Sequence, residues 1–298
     1  MTQFFANLLG SSVEPVAWAR QREAEGWDGI GVTDHLWAGT TPFSHWAVTL
    51  GQLAAVTDRV TLLSCFANNL LRSPVEFAQA ALALQRASGG RFEAGLGAGW
   101  SREEIEGIGA SFPDPAGRAE RYAEAVRVVR ELFETGRCSF AGEHYRVEVP
   151  VIGPTVERAP PIVVSVGGPR TIREVAPLAD RVEIAFNAAA TRGGDQGVAR
   201  MAELGRAHLD DLVDRVARAV PHLPRGIFLT IACGDDDIVQ RLDRSGALGL
   251  AGLAGPPDRV AATVLELADD RIDRVQLTPA TPATLALIAE HLPLAHRA

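Results

Sequence analysis

A closed (β/α)8 barrel, the TIM-barrel class of α/β fold, is what this sequence predicts, and two observations predict it. Short apolar runs rich in branched residues recur eight times, each separated from the next by a longer stretch, most of helical period. The length, 298 residues, exceeds the roughly 250 of a bare barrel, and the excess lies in one place. Strands are read near 3–9 (QFFANLL), 29–33 (GIGVT), 60–67 (VTLLSCFA), 91–96 (RFEAGL), 162–166 (IVVSV), 181–186 (RVEIAF), 226–232 (GIFLTIA) and 272–277 (IDRVQL). Helices fit the intervals Glu14 to Glu25, Trp46 to Ala55, Pro74 to Ala87, Arg118 to Glu134, Pro169 to Leu178 and Val198 to Val220. Ser73 before Pro74 makes an N-cap and N1 pair, and Gly89-Gly90 closes the same helix. From about 138 to 161 the segment alternates like a strand around Ala141-Gly142 and then turns proline-rich, which reads as a hairpin and coil inserted between strands four and five. No linker divides the chain, so a single barrel domain over 1–298 is expected.

Composition removes several function classes. The net charge of -8 gives no basic face for a nucleic-acid backbone. The chain has no lysine, which excludes Schiff-base chemistry, a P-loop lysine and a lysine general base. Cys65, Cys138 and Cys233 are widely spaced and fit neither a disulfide framework nor zinc spacing. The N-terminus lacks a basic n-region and no segment reaches membrane-spanning length, so a cytoplasmic protein without membrane or metal is expected. The histidines are too scattered over outer helices for a metallohydrolase barrel.

In such a barrel the active site is built from the loops at the carboxyl ends of the strands. Those ends carry Thr33-Asp34-His35-Leu36-Trp37, Ala67-Asn68-Asn69, Gly97-Ala98-Gly99-Trp100 and Gly167-Gly168-Pro169-Arg170. GLGAGW is not a dinucleotide fingerprint, because Trp100 stands where the last glycine belongs and the loop follows the fourth strand, not the first. Its small residues still let backbone N–H groups approach a flat or anionic ligand. Gly167-Gly168 before Pro169 offers similar donors at a predicted helix start.

Together these residues resemble the bacterial luciferase-like monooxygenase superfamily, and within it the oxidoreductases that use the deazaflavin coenzyme F420. The resemblance runs through EAEGWDGIGVTDHL, the SGGRFEAGLGAGWSREEIEGIG block, RAERYAEAVRVVRELF with the FAGEHY hairpin, APPIVVSVGGPRTIREVAPLADRVEI and GPPDRVAATVLELADDRIDRVQLTP. It implies a flavin or deazaflavin ring in the barrel mouth, set against a non-prolyl cis peptide or bulge at Ser64-Cys65. It also implies that the cofactor phosphate lies at Gly167-Gly168 and at Gly97-Ala98-Gly99. The cofactor-binding set it suggests is Asp34, Ser64, Cys65, Ala67, Ala98, Gly99, Trp100, Val166, Gly167 and Gly168. Members that use FMN carry an arginine at the position of Ala98, which favours F420 here and leaves FMN as the alternative. F420-dependent sugar-phosphate dehydrogenases carry an acidic glutamate where this chain has Trp100, which places that substrate in doubt. The family further implies a homodimer and a flavin or F420 reductase as supplier.

The catalytic expectation centres on His35, since an imidazole exchanges protons near neutral pH. His35 is read as the proton donor and acceptor toward a small-molecule substrate. Asp34 is read as orienting the imidazole or meeting the ring. Trp37, Trp46 and Trp100 are read as walling the site, with Trp37 the least secure member of that wall. The glycine-bearing loop Arg192 to Asp195 is a candidate lid. Three classes stay open: an F420-dependent oxidoreductase, an FMN-dependent monooxygenase, and a non-catalytic flavin-binding relative.

Overall fold

The computed structural model describes residues 2–10, 14–195 and 197–294. Eight parallel strands form the barrel: β1 (Gln3–Leu8), β2 (Gly29–Val32), β3 (Thr61–Ser64), β4 (Phe92–Gly97), β5 (Ile162–Val166), β6 (Arg181–Ala185), β7 (Arg225–Cys233) and β8 (Arg274–Pro279). Each pairs with the next in sequence, and β8 pairs with β1, so the sheet closes on itself. Seven of the eight fall within two residues of the runs read from sequence; the third, read as 60–67, ends at Ser64. Closure leaves no unpaired barrel edge.

Period-two alternation decides what faces inward. Phe4, Ala6 and Leu8 of β1 pack outward against the helices in the main core, whereas Phe5 joins Leu63, Cys65 and Val163 inside the barrel. Phe5 lies opposite Gly29, and a Cβ on that glycine would collide with the Phe5 ring. At the amino end of the barrel Arg274, fully buried, reaches both carboxylate oxygens of Glu93 at 2.6 and 2.9 Å and stands 3.9 Å over the Phe5 ring. The bidentate pairing compensates the desolvation of that charge.

The helices are α1 (Pro15–Glu25), α2 (Trp46–Ala54), α3 (Pro74–Ala87), α4 (Arg102–Gly107), α5 (Pro115–Thr135), α6 (Pro169–Glu174), α7 (Ala188–Thr191), α8 (Val198–Glu203), α9 (Arg206–Ala219), α10 (Asp237–Ser245), α11 (Pro257–Leu267) and α12 (Thr284–Ala289). Ser73 caps α3 as expected, accepting from the Val75 N–H. Three expectations are corrected. The helix expected from Arg118 begins at Pro115, because Asp114 accepts the Gly117 N–H at 2.7 Å and caps it earlier. The span 169–178 divides into α6 and a 3-10 turn at Ala176–Leu178, since Pro177 has no N–H to continue the ladder. The span 198–220 breaks at extended Leu204 and Gly205, which becomes the N-cap of α9. The short α4 and α7, and the helices α10 to α12, were not anticipated.

The expected insertion is present as an antiparallel hairpin of Cys138–Ala141 with Arg146–Val149, followed by coil to β5. Among the described residues no helix is long and apolar enough to cross a membrane.

Candidate functional site

The carboxyl ends of the strands enclose a cavity of about 780 Å³. On one side stands His35, delivered by the segment that leaves β2. Its Nδ1 lies 2.7 Å from Oε2 of Glu104. Glu104 is buried on α4, and its other oxygen accepts the Leu36 N–H at 2.6 Å and the Trp37 N–H at 3.4 Å. Burial works to raise this carboxyl, but the hydrogen bond and charge of His35, the Leu36 amide and the Ser101 side chain together hold it below the usual carboxylate range. An ionised Glu104 makes Nδ1 the protonated ring nitrogen, so Nε2 is the one left for a ligand. The rings of Phe43 and Trp100 meet the imidazole edge-on at 5.4 and 5.6 Å.

Asp34 does not orient this imidazole. Its buried carboxylate turns the other way, to the Asn68 N–H at 2.9 Å and to Arg72 at 2.9 and 3.3 Å. Those bonds tie the end of β2 to the loop after β3, and Asp34 keeps a place on the cavity wall. Glu104, which sequence reasoning missed, does the orienting. Its only mark in the sequence was an acid beside Ile105 in SREEIEG, with Glu103 and Glu106 as indistinguishable neighbours.

The non-prolyl cis peptide lies at Cys65-Phe66, one bond beyond the expected Ser64-Cys65. The ladder explains the offset: Cys65 N–H still donates to the Val32 carbonyl at 2.8 Å, so regular pairing with β2 persists through Cys65. Cys65 and Phe66 line the cavity. The Cys65 thiol donates to Gln276 at 2.9 Å, and burial raises it well above the ordinary thiol range.

Of the anticipated cofactor residues, Asp34, Cys65, Ala98, Gly99, Trp100, Gly167 and Gly168 line the cavity. Ser64, Ala67 and Val166 do not. The Ser64 hydroxyl is spent between the Gly95 carbonyl and amide at 2.8 and 2.9 Å, and Ala67 and Val166 pack outward into the core beneath the helices. Gly99 has φ +78°, the left-handed region, with Asn68 close beside it. Gly167 is small for packing, since a Cβ there would strike Ala188 and the Ala185 carbonyl. A Cβ on Gly168 would fit without a clash, 3.7 Å from a guanidinium nitrogen of Arg192 and 3.9 Å from the Thr171 hydroxyl. Of the tryptophans only Trp100 lines the cavity; Trp37 packs on Gly107 and Trp46 is buried in the core.

Three arginines line the cavity. Arg170 pairs with Glu120, and Arg118 is spent on the Pro113 and Arg192 carbonyls. The Arg192 side chain has no ion pair or hydrogen bond among the described residues. Its loop is tied down by the Arg102 N–H to the Gly194 carbonyl at 2.9 Å.

A family model described as luciferase-like monooxygenase matches residues 10–237. The chain is 34% identical over 158 residues to the F420-dependent glucose-6-phosphate dehydrogenase of Kineococcus radiotolerans, covering 51% of this chain and 46% of that protein. The protein of the same description from Mycobacterium avium is 34% identical over 164 residues, covering 52% and 48%. The chain thus spans about half the length of the curated relatives it matches. Among solved structures, an F420-dependent secondary alcohol dehydrogenase in complex with an F420-acetone adduct superposes with a TM-score of 0.76 at 16% identity, covering 99% of both chains. The monooxygenase RslO1 from Streptomyces bottropensis gives 0.75 at 18%, covering 97% and 98%. These two likenesses establish the barrel fold.

Proposed function

The chain belongs to the luciferase-like monooxygenase family, and within it we propose an oxidoreductase that exchanges a hydride between coenzyme F420 and a small organic substrate. The observation that carries this reading is the division of one cavity into a proton-handling end, His35 with Glu104, and an anion-accepting end, Arg192 beside Gly168. The identity with F420-dependent enzymes supports the choice of cofactor.

The residues present fit the group. Gly168 keeps the wall low for a flat ring and its tail, and the Arg192 guanidinium, unpaired among the described residues, is placed to pair with a phosphate. Ala98, in the position where FMN users carry an arginine, offers no cation of its own. Bound there, F420 supplies the two-electron acceptor or donor.

The chain supplies the path of the proton. In the oxidative direction His35 accepts the proton of a substrate hydroxyl at Nε2, and the Glu104 carboxylate stabilises the imidazolium that results. In the reductive direction Nε2 returns that proton to the substrate oxygen. Phe43 and Trp100 flank the ring and exclude water from it. Asp34 and Arg72 act by fixing the backbone from which His35 departs. The test is titration of the purified protein with F420 and, separately, with FMN, read by fluorescence. Micromolar or tighter binding of F420 is expected; binding of FMN with none of F420 would overturn the assignment in favour of a flavin-dependent monooxygenase.

A further inference from the structure

The cavity walls are not alike around the barrel. Its cations and small glycine loops stand at β4 to β6, and His35 stands at β2. Between Phe228 and Ala280, the sector of β7 and β8, every residue that lines the cavity is uncharged. The side chains there are Phe228, Leu242 and Leu248, with the hydroxyls of Thr230 and Thr278; Thr278 already accepts from Asn7 at 3.0 Å. Phe186 and Met201 continue the apolar wall toward β6. The wall is tightly built: a Cβ on Gly249 would stand 2.7 Å from the Phe186 ring and 3.1 Å from the Met201 sulfur, so the turn that presents Leu248 rests directly on both.

We propose that this sector holds the body of the substrate, and that this body is an alkyl or aryl group carried on a neutral alcohol or on the carbonyl compound that it forms. The proposal rests on the F420 reading for the alcohol and carbonyl, and on the wall for the apolar body. A sugar phosphate does not suit this sector. Its several hydroxyls would be buried against leucine and phenylalanine with only the Thr230 and Thr278 hydroxyls to meet them, and Thr278 already accepts from Asn7. Its phosphate would meet no cation from β7 or β8, and Arg192, in the connection after β6, stands beside Gly168, where the cofactor tail is assigned. An apolar chain, by contrast, gains from each methylene removed from water.

The experiment is a calorimetric titration of the protein loaded with oxidised F420 against 2-butanone, 2-pentanone, 2-hexanone and 2-octanone, with glucose 6-phosphate as the contrasting ligand. A ketone beside the oxidised coenzyme does not turn over, so binding alone is read. The dissociation constant is expected to fall about three- to fourfold per added methylene, with no binding of glucose 6-phosphate. Leu248→Asn and Met201→Gln, made separately, are each expected to flatten the series while leaving the F420 dissociation constant unchanged. A flat series in the unaltered protein, or glucose 6-phosphate binding more tightly than 2-octanone, would overturn the proposal. Failure of F420 to bind would overturn the cofactor reading alone, and the same series titrated into the protein without cofactor would still decide the nature of the wall.

Discussion

Glu104→Gln is the substitution that asks most of the site. It keeps the size of the side chain and removes its charge. The Leu36 N–H, at 2.6 Å from Oε1, requires an acceptor at that position and so fixes the amide oxygen there. The amide nitrogen is then turned toward Nδ1 of His35, 2.7 Å from the present Oε2. Two donors cannot share that line, so the imidazole changes tautomer: Nδ1 becomes the acceptor and Nε2 carries the proton. A neutral His35 in that state cannot accept a proton from substrate. The lost interaction is a short hydrogen bond to a carboxylate that is 1% exposed, a class worth about 1.5 to 3 kcal/mol, or about 10- to 150-fold in turnover. Cofactor affinity is expected to stay within about twofold, because Glu104 does not line the cavity. Nitrogen-15 NMR of labelled imidazole reads the tautomer directly, and steady-state rates on a panel of alcohols read the consequence. An unchanged tautomer together with an unchanged kcat would refute the positioning role.

At the opposite end of the cavity, Arg192→Ala is expected to weaken F420 binding about tenfold, the lower end for a charge-assisted pair because the side chain is exposed to solvent; a fluorescence titration that finds the same affinity at low salt would remove Arg192 from the phosphate site. Beneath the barrel, burial pushes the Glu183 carboxyl up to about 7, against the opposing pull of Arg274 and Arg181. Its folded value being raised, the stability it contributes is fully present below the ordinary value of 4.5 and is lost as pH rises toward 7. The loss is about 3 kcal/mol at 1.36 kcal/mol per unit. Glu183→Gln should flatten the fall in unfolding free energy between pH 5 and 7, measured by guanidinium melts across that range, and an undiminished slope would assign the fall to other groups.

The barrel itself was legible because its signals are local. A run such as IVVSV announces a strand buried on both faces whatever it packs against, and Asp-His behind GIGV announces a strand end at the functional rim. Helix boundaries were less legible where a cap or a proline overrode the period, as at Asp114 and Pro177. The short α4 was missed altogether, and the site's second carboxylate with it.

What the sequence by itself determined was therefore the fold class, the strand ends that rim the cavity, and the residue types gathered there. Which of them touch was decided only by the tertiary structure. Asp34 and His35 are neighbours in the chain, yet one turns to Asn68 and Arg72 and the other to Glu104, 69 positions away. Val166, Gly167 and Gly168 are likewise consecutive, but the first packs outward and the other two line the cavity. The physical reason is the same in both cases. Asp34, His35, Gly167 and Gly168 stand beyond the last residues of their strands, where no strand period sets their direction, and the partner each one meets is set by barrel closure, which brings distant strand ends and their loops together around one cavity.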